Sequence, residues 1–530
     1  MHILMQLVML VGVLFGVFGL AAGQQWNPLG QDIDGEAEGD YSGMVSMSED
    51  GYTVAIGAWR HDEKTGHVRV YSFNTANDSW EQRGGDIDGE AAGDQSGVSV
   101  SLSADGSIVA VGADRNDGDI GDMSGHVRVY SFNTADESWV QRGGDIDGEA
   151  ANDRSGISVS LSADGSTIAI GAYRNGDDNG HVRVYSYDES AWNKVGQDID
   201  GEAANDISGK RVSLSADGSI VAVGATGNDE MGDSSGHVRV YSLNGNQWVQ
   251  LGEDINGEAA GDNSGESVSL SADGSIVAIG AHYNDGDNGD GSGHVRVYSL
   301  NGNQWVQLGG DIDGEAANDG SGFSVSLSAD GLTVAIGAYR NGDNERGHVR
   351  VYSLNGNQWV QLGQDIDGEA AGDHSGVVSL SADGSTVAVG AANNIGNGGT
   401  NSGHVRVYSL CGPGKLAYKN ECRDICPPGR YTKTGICVKC PLGKYAAAEG
   451  SAECEQCPAG SFADAEESAQ CTPCAAGSWT SGSNRIACTD VVGMLTNGGF
   501  ADLADVTAAL ASYGEGRTQM KSAYSNHCPA

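Results

Sequence analysis

The stretch "VSVSLSADGSIVAVGA" (residues 98–113) contains two short apolar runs joined by a turn sequence. Apolar and polar residues alternate in the first run, and both runs are rich in β-branched residues, a pattern typical of β-strands. The intervening Ser-Ala-Asp-Gly-Ser has the composition of a hairpin turn. Two further runs, "HVRVYSF" (126–132) and "WVQRG" (139–143), complete a unit of four predicted antiparallel strands.

This unit recurs along the chain, and each copy is preceded by an acidic motif of the type "DIDGEAAGD" (86–94). The motif begins at Asp32, Asp86, Asp145, Asp198, Asp254, Asp311 and Asp365, with steps of 54, 59, 53, 56, 57 and 54 residues. A fixed period of this length indicates a repeat architecture. Seven units of four strands predict an all-β fold, a seven-bladed β-propeller.

The two ends of the repeat array complement each other. The last unit stops after "HVRVYSL" at Leu410 without a Trp-containing strand, whereas "WNPLG" (26–30) precedes the first motif with no unit of its own. We therefore expect the N-terminal segment to supply the outer strand of the last blade. Such a closed ring leaves no exposed sheet edges.

The segment "SGFSVSLSADGLTVAIGA...GHVRVYS" (321–353) resembles the FG-GAP repeats of integrin α-subunit propellers, and the resemblance extends over most of 24–410. It implies the propeller fold and a ligand face built from two sets of loops. Ser-Gly replaces the Phe-Gly of that family, and the first hairpin is too short to hold its calcium loop. The family's calcium ligands therefore cannot be transferred to this chain.

Composition divides the chain into four predicted segments. Residues 1–23 are apolar and end in Ala-Ala-Gly, which predicts a secretory signal peptide, with an uncleaved anchor helix as the alternative. The propeller is assigned to 24–410, a disulfide-rich region to 411–488, and a tail to 489–530 with a short helix within 499–514. After removal of the signal, no other segment is apolar enough to span a membrane.

All eleven cysteines lie after the repeats. The spacing of Cys-x2-Cys pairs and the openings "CPLGKY", "CPAGSF" and "CAAGSW" resemble ephrin-receptor-like and growth-factor-receptor cysteine-rich modules. Disulfides are preferred over zinc because the signal peptide implies an oxidising compartment. Sequential pairing is the simplest hypothesis among many: Cys411–Cys422, Cys426–Cys437, Cys440–Cys454, Cys457–Cys471 and Cys474–Cys488. Cys528 is left over, which allows a disulfide-linked dimer.

The acidic motif supports two hypotheses. Asp and Gly favour a turn whose remaining acids are solvated or paired with arginines. Closely spaced carboxylates also suit Ca2+, although the spacing is not that of an EF-hand. The candidate Ca2+ ligands are Asp86, Asp88, Glu90, Asp94, Asp145, Asp147, Glu149, Asp153, Asp311, Asp313, Glu315 and Asp319. No cofactor is required in either case.

Candidate ligand-binding residues lie in the loops between the second and third strands. Successive connections of an antiparallel blade alternate between its two ends, so these loops should share one face with the acidic motifs. Because the loops vary in length and content, they are candidates for recognition. The proposed contacts are Tyr173, Arg174, His282, Tyr283, Tyr339 and Arg340. The sequon at Asn77 lies in a hairpin that should be on the opposite face, which would leave the loop face unobstructed.

The charge balance narrows the function. With 72 acidic and 29 basic residues, the chain is a poor match for nucleic acid or an anionic membrane. Nearly identical repeats do not offer the different converging residues that catalysis needs, so we expect no enzyme activity. The prediction is a secreted or cell-surface binding or adhesion protein that recognises an extracellular protein or glycan, with Ca2+ assistance as an option. The alternatives are a structural matrix or cell-covering protein and, third, a glycan-acting enzyme with a paired-carboxylate pocket.

Overall fold

The computed structural model describes residues 25–118, 121–286 and 288–410, and shorter stretches between 416 and 490. The chain divides into two compact units between Cys411 and Gly412, and each is described by itself. The predicted signal peptide and the predicted helix within 499–514 lie outside the described residues.

The first unit is a seven-bladed β-propeller, as the repeat predicts. Each blade is an antiparallel sheet of four main strands, which follow one another in sequence in blades 1 to 6, whereas the outer strand of blade 7 comes from the N-terminal segment. From blade 1 to blade 7, the first strands are Ser42–Met47, Ser99–Leu102, Ser155–Leu161, Ser208–Leu214, Ser267–Leu270, Ser321–Leu327 and Val377–Leu380. The second strands are Thr53–Ala58, Ile108–Ala113, Thr167–Ala172, Ile220–Ala225, Ile276–Ala281, Thr333–Ala338 and Thr386–Ala391. The third strands are His67–Asn74, His126–Asn133, His181–Tyr187, His237–Asn244, His294–Asn301, His348–Asn355 and His404–Ser409. The fourth strands are Ser79–Gln82, Ser138–Gln141, Trp192–Lys194, Gln247–Gln250, Gln304–Gln307, Gln358–Gln361 and Asn27–Pro28.

A fifth, two-residue strand extends every blade and comes from the start of the acidic motif. In blade 2, Ile146 and Asp147 pair with Val127 and His126 of the third strand. These strands are Ile87–Asp88, Ile146–Asp147, Ile199–Asp200, Ile255–Asn256, Ile312–Asp313, Ile366–Asp367 and, in blade 7, Ile33–Asp34. Sequence periodicity does not predict them, since two residues carry no period. Only the Gly-Glu half of the motif therefore crosses to the next blade.

The hydrophobic core lies between neighbouring blades. One cluster joins Val68 and Val70 of blade 1 to Val109, Val111 and Tyr130 of blade 2, and all five side chains are buried. Burial of apolar surface at these seams supplies most of the stabilisation that holds the blades together.

Glycines bring the blades into backbone contact. A Cβ atom built on Gly171 of the second strand would lie 1.9 Å from the carbonyl oxygen of Gly209 in the next blade. The same contact joins Gly112 to Gly156, at 2.0 Å. The Gly-Ala and Ser-Gly pairs of the repeat therefore mark the positions where one blade touches the next.

The N-terminal segment closes the ring, as the missing Trp strand predicts. Asn27 and Pro28 pair with Ser409 and Tyr408 of blade 7. The Trp26 indole N–H donates to the carbonyl of Leu362 in blade 6 at 2.7 Å. Every other blade has an equivalent bond, made by Trp80, Trp139, Trp192, Trp248, Trp305 and Trp359.

On the face opposite to the acidic motifs, a ring of backbone hydrogen bonds joins the seven hairpins between first and second strands. Each N–H donates to the hairpin of the next blade at 2.8–2.9 Å. The donors in order are Glu49, Ala104, Ala163, Ala216, Ala272, Ala329 and Ala382, whose N–H returns to the Glu49 carbonyl. These bonds identify the first strands as the ones nearest the propeller axis.

Helical structure among the described residues is limited to short turns in the loops between second and third strands. They are the helical turns His61–Lys64 and Asn175–Asp178 and the π-helical turn Asn341–Glu345. None of the helices in the described part of the chain is long and apolar enough to cross a membrane.

The second unit contains small two-stranded sheets and disulfides. Cys440 is bonded to Cys454 and Cys457 to Cys471, which confirms two of the five predicted pairs. The other three predicted pairs, and Cys528, involve cysteines outside the described residues. The hairpins are Leu416–Tyr418 with Glu421–Arg423, Arg430–Lys433 with Ile436–Lys439, Lys444–Tyr445 with Glu455–Gln456, Ser461–Phe462 with Thr472–Pro473, and Ser478–Trp479 with Thr489–Asp490.

Candidate functional site: a variable ring near the axis

The acidic motifs and the loops between second and third strands share one face of the propeller. The N–H of Gly89 in the motif donates to the carbonyl of Gly66, and the N–H of Ser96 donates to that of Thr65. Gly148 and Ser155 repeat these bonds to the loop of blade 2. The loops and motifs therefore form one continuous surface, as the alternation of connections predicts.

The carboxylates of the motif make internal contacts that fit a structured turn. Asp86 accepts a hydrogen bond from the Gln82 side chain at 2.6 Å, and Asp94 accepts one from the Ala91 N–H at 2.9 Å. Glu90 lies 3.6 Å from the Arg128 guanidinium. The same partners recur for Asp145, Glu149 and Asp153 in one copy and for Asp311, Glu315 and Asp319 in another.

The arginine of each third strand fixes the motif that leads into its own blade. Besides its ion pair, Arg128 donates to the Asp88 carbonyl at 2.6 Å. Asp147 and Asp313 accept the equivalent bonds from Arg183 and Arg350. These contacts account for most of the motif's polar groups as parts of a turn. Binding of Ca2+ by the motif stays a prediction.

Four positions per blade depart from the repeat, and they lie together on this face. They are the residue between the last motif Asp and Ser-Gly, the residue after Ser-Gly, and the two residues after Gly-Ala. The first position holds Tyr41, Gln95, Arg154, Ile207, Asn263, Gly320 and His374, and the second holds Met44, Val98, Ile157, Lys210, Glu266, Phe323 and Val377. The third and fourth hold Trp59-Arg60, Asp114-Arg115, Tyr173-Arg174, Thr226-Gly227, His282-Tyr283, Tyr339-Arg340 and Ala392-Asn393. We call these positions the variable ring.

Residues of the variable ring contact one another, both between neighbouring blades and within one blade. Arg154 pairs with Asp114 of the preceding blade at 3.1 Å. In blade 1, the Arg60 guanidinium lies over the rings of Trp59 and Tyr41, at 4.2 and 4.3 Å from their centroids. First strands are innermost, so a ligand at the variable ring would contact several blades at once.

Blades 5 and 6 carry the largest aromatic group of the ring. The ring centroids of His282 and Tyr283 are 3.8 Å apart, and those of Phe323 and Tyr339 are 4.4 Å apart. His282 is also 6.1 Å from Phe323. The Arg340 guanidinium lies 4.9 Å from the Tyr339 centroid, within the range of a cation–π interaction.

A buried carboxylate adjoins these rings. Glu266 is 4% exposed and pairs with Lys210 at 2.7 Å and with Arg211 at 3.4 Å. Burial alone would raise the pKa of Glu266, but Arg211 and Lys210 outweigh it and lower that pKa. The carboxylate is therefore ionised at neutral pH. We call this group the blade 5–6 cluster, after the blades that supply most of it. Lys210 and Arg211 come from blade 4, and the other members are Glu266, His282, Tyr283, Phe323, Tyr339 and Arg340.

Burial changes the protonation of two members of this cluster. It lowers the pKa of His282 to about 4, so the imidazole is neutral at pH 7. Burial likewise raises the pKa of Tyr339 to about 12, so its hydroxyl keeps its proton. Tyr283 remains 43% exposed. The cluster thus combines open aromatic surface with fixed cations and hydrogen-bonding groups.

Four of the six residues predicted for ligand binding belong to this cluster: His282, Tyr283, Tyr339 and Arg340. Tyr173 and Arg174 lie in blade 3, where the guanidinium is 5.5 Å from the tyrosine ring. The other four members, Lys210, Arg211, Glu266 and Phe323, were not predicted from the sequence. A position-by-position comparison of the repeats would have found them, because they replace small or apolar residues of other copies.

The predicted glycosylation site lies away from these groups. Asn77 is exposed in the hairpin between the third and fourth strands of blade 1. Its side-chain amide donates to Glu81 at 2.9 Å, and it accepts a hydrogen bond from Ser79 at 2.8 Å. Attachment of a glycan there stays a prediction.

Comparison with known proteins identifies one module. Residues 429–469 match a family model described as tyrosine-protein kinase ephrin type A/B receptor-like. The chain thus combines a seven-bladed β-propeller with an ephrin-receptor-like cysteine-rich module. This module and its disulfides are consistent with an extracellular location. No curated protein matches the chain significantly.

Solved structures similar to the chain include two of low sequence identity. Hydrazine synthase of Kuenenia stuttgartiensis is 13% identical with a TM-score of 0.45, covering 67% of this chain and 93% of that chain. The periplasmic gluconolactonase of Pseudomonas aeruginosa is 18% identical with a TM-score of 0.44, covering 61% and 85%. At these TM-scores neither similarity carries an argument about this chain.

Proposed function

We propose that the protein is a secreted or cell-surface binding protein that recognises an extracellular protein or glycan through its variable ring, with the blade 5–6 cluster as the main contact. The observation that carries this proposal is the variable ring itself, four positions per blade whose residue types differ on one face of a nearly sevenfold-symmetric scaffold. Variable residues on a rigid frame are the usual arrangement of a recognition surface.

The composition of the cluster fits recognition. Tyr283, Phe323 and Tyr339 offer aromatic faces, and Arg340 adds a cation that stacks on one of them. Aromatic residues and arginine dominate binding energy at interfaces. In a chain with a formal net charge of −43, a group that contains three cations is a distinct local feature.

We propose a binding role without catalysis. Glu266 is held by two cations, and its lowered pKa opposes a role as a proton donor. The resemblance to FG-GAP propellers of integrin α-subunits is compatible with ligand binding on this face and is part of the proposal. Ca2+ assistance is an option that the proposal does not require.

The experiment uses the purified full-length chain on a printed glycan array and on a panel of immobilised extracellular protein domains. The test variant is Phe323→Val with Tyr339→Thr, which installs residues that other blades carry at these positions. We expect the affinity for the retained probe to fall about tenfold or more, since aromatic anchors dominate such contacts.

The matched control is Tyr173→Thr, the same change at the same position in blade 3. It should weaken binding much less than the blade 5–6 variant does, because blade 3 is not the main contact. Equal losses in both proteins would contradict the blade 5–6 assignment and point to general damage of the face. If neither probe set retains the wild-type chain, the specific-ligand proposal fails and the structural matrix hypothesis becomes the better one.

A further inference from the structure

One loop position distinguishes blade 1 from the other six blades. The third residue after Gly-Ala is Asn116, Asn175, Asn228, Asn284, Asn341 and Asn394 in blades 2 to 7, but His61 in blade 1. In four of these blades the Asn amide donates to the last Asp of the adjoining acidic motif, for example Asn341 to Asp319 at 2.8 Å. His61 takes the same place, with Nδ1 3.1 Å from the Asp40 carboxylate.

His61 lies directly against the first residue of the third strand. Its ring stacks on that of His67, with centroids 4.0 Å apart and planes inclined by 19°. His67 is fully buried, and neither of its ring nitrogens has a hydrogen-bond partner among the described residues. Nδ1 of His61 is also buried, and it lacks the alignment of a hydrogen bond despite its proximity to Asp40. Buried polar atoms without partners are rare in native proteins, so three such nitrogens together need an explanation.

A carboxylate completes this group. One ligand atom each from Glu36, His61 and His67 lie within 4.8 Å of one another. Atoms of His67, Asp86 and Asp88 form a second such group around the same histidine. Burial lowers the pKa of His67 to about 4, and the neighbouring His61 acts in the same direction. Its imidazole therefore keeps a free lone pair at neutral pH.

We propose that His61, His67 and Glu36 form a binding site for one divalent transition-metal ion of the Zn2+ type. Two imidazoles and a carboxylate are donors that suit Zn2+, Cu2+ and Ni2+, whereas Ca2+ and Mg2+ prefer oxygen ligands alone. The site is independent of the variable-ring ligand. Its carboxylate belongs to the first acidic motif, where Glu36 also lies 3.4 Å from the Arg69 guanidinium, so a bound ion would compete with that ion pair. It is distinct among the seven blades because only blade 1 has a histidine in place of the loop asparagine.

The ion would act on the closure of the ring. Glu36 lies between the fifth strand of blade 7, Ile33–Asp34, and the first strand of blade 1, whereas both histidines belong to blade 1. Coordination therefore connects the segment that follows the closing strand to the blade it enters. Metal binding to the folded state alone stabilises that state by mass action.

The experiment compares Zn2+ binding by the metal-free full-length chain and by variants, using isothermal titration calorimetry and thermal unfolding. Mg2+ is the control ion. The principal variant is His61→Asn, which installs the residue that the other six blades carry and so preserves the fold. We expect a Zn2+-selective site in the wild type and a loss of affinity of about tenfold or more in His61→Asn and in Glu36→Gln.

The matched control is Glu38→Ala. Glu38 is exposed on the same crossover, and every other copy of the motif has Ala at its position. This variant should bind Zn2+ as the wild type does. An unchanged affinity in His61→Asn, or an equal loss in Glu38→Ala, would overturn the proposal. If His61→Asn does not fold, the Zn2+ affinities of Glu36→Gln and Glu38→Ala are compared instead. A loss in Glu36→Gln alone supports the site, and equal affinities overturn it.

Discussion

At Gly171 the backbone of the second strand of blade 3 contacts the backbone of the next blade, which leaves no space for a side chain. A Cβ atom would lie 1.9 Å from the Gly209 carbonyl oxygen, so Gly171→Ala must push two blades apart. We expect a loss of about 3 kcal/mol or more in the free energy of unfolding. Chemical denaturation of the full-length chain measures it.

Gly144→Ala provides the control for this substitution. Gly144 is exposed, its φ is not positive, and no atom lies within 4 Å of the place that a Cβ would occupy. Its replacement should change stability by less than about 1 kcal/mol, in either direction. If Gly171→Ala were equally harmless, the close contact between blades would not be a determinant of stability.

Individual site residues were predictable to different degrees. His282, Tyr283, Tyr339 and Arg340 lie in loops whose length and content already set them apart. Glu266 lies next to a first strand, so loop length and content do not identify it, and only a comparison of the repeats position by position would have. The members of the blade 5–6 cluster come together because neighbouring blades are placed side by side around the axis. That arrangement is a property of the closed ring and not of a single repeat.

At the scale of elements, the closing strand makes the same kinds of hydrogen bond as other fourth strands and differs from them in its connection to the chain. Trp26 donates to Leu362, and its backbone exchanges hydrogen bonds with the Gln364 side chain. The strand reaches blade 7 from the other end of the chain, whereas the other fourth strands follow their third strands through a short hairpin. We expect Trp26→Phe to leave the Leu362 carbonyl without its donor, at a cost of about 1–3 kcal/mol, and to expose the segment to proteases.

Trp139→Phe is the control for the closing strand. It removes an equivalent bond, from Trp139 to the Arg83 carbonyl at 2.7 Å, but its strand follows the third strand of the same blade directly. Thermal unfolding and limited proteolysis with mass spectrometry compare the two variants. Equal proteolysis of the N-terminal segment in both proteins would contradict a special role for the closing strand.

The main strands were predictable because each has a clear periodicity and a recognisable turn on either side. The alternating run 98–103 contains the first strand of blade 2, Ser99–Leu102, and the run 108–113 is its second strand. The closing strand was predictable because one element was missing at one end and present at the other. The fifth strands were not, because their pairing depends on the tertiary position of the acidic motif.

At the scale of the whole molecule, sevenfold repetition multiplies one electrostatic feature. The histidine that begins the third strand is buried in every blade. Burial is the largest cause that lowers the pKa of His126, His181, His237, His348 and His404, and it lowers that of His294 to about 4. Nearby arginines act in the same direction, whereas adjacent carboxylates oppose the shift.

These histidines should make the stability of the propeller fall in mild acid. A histidine with a lowered pKa binds a proton less readily in the folded chain than in the unfolded chain, where its pKa is near 6.5. Its contribution to stability is therefore complete above that pH and is lost as the pH falls toward about 4. Each proton taken up on unfolding changes the free energy of unfolding by about 1.4 kcal/mol per pH unit.

Chemical denaturation between pH 7.5 and 4.0 in the presence of a chelator measures this dependence, and His294→Gln isolates one histidine. The wild-type free energy of unfolding should fall as the pH falls over this range. The slope of that fall should be smaller in the variant, by up to the value for one proton, about 1.4 kcal/mol per pH unit. Carboxylates that are hydrogen-bonded or ion-paired in the folded chain also make stability fall in acid, but they do so equally in both proteins. The difference between the two slopes therefore measures the contribution of His294. Identical slopes would mean that His294 titrates alike in the folded and unfolded chains. The buried histidines that begin the third strands would then not account for the acid sensitivity of the propeller.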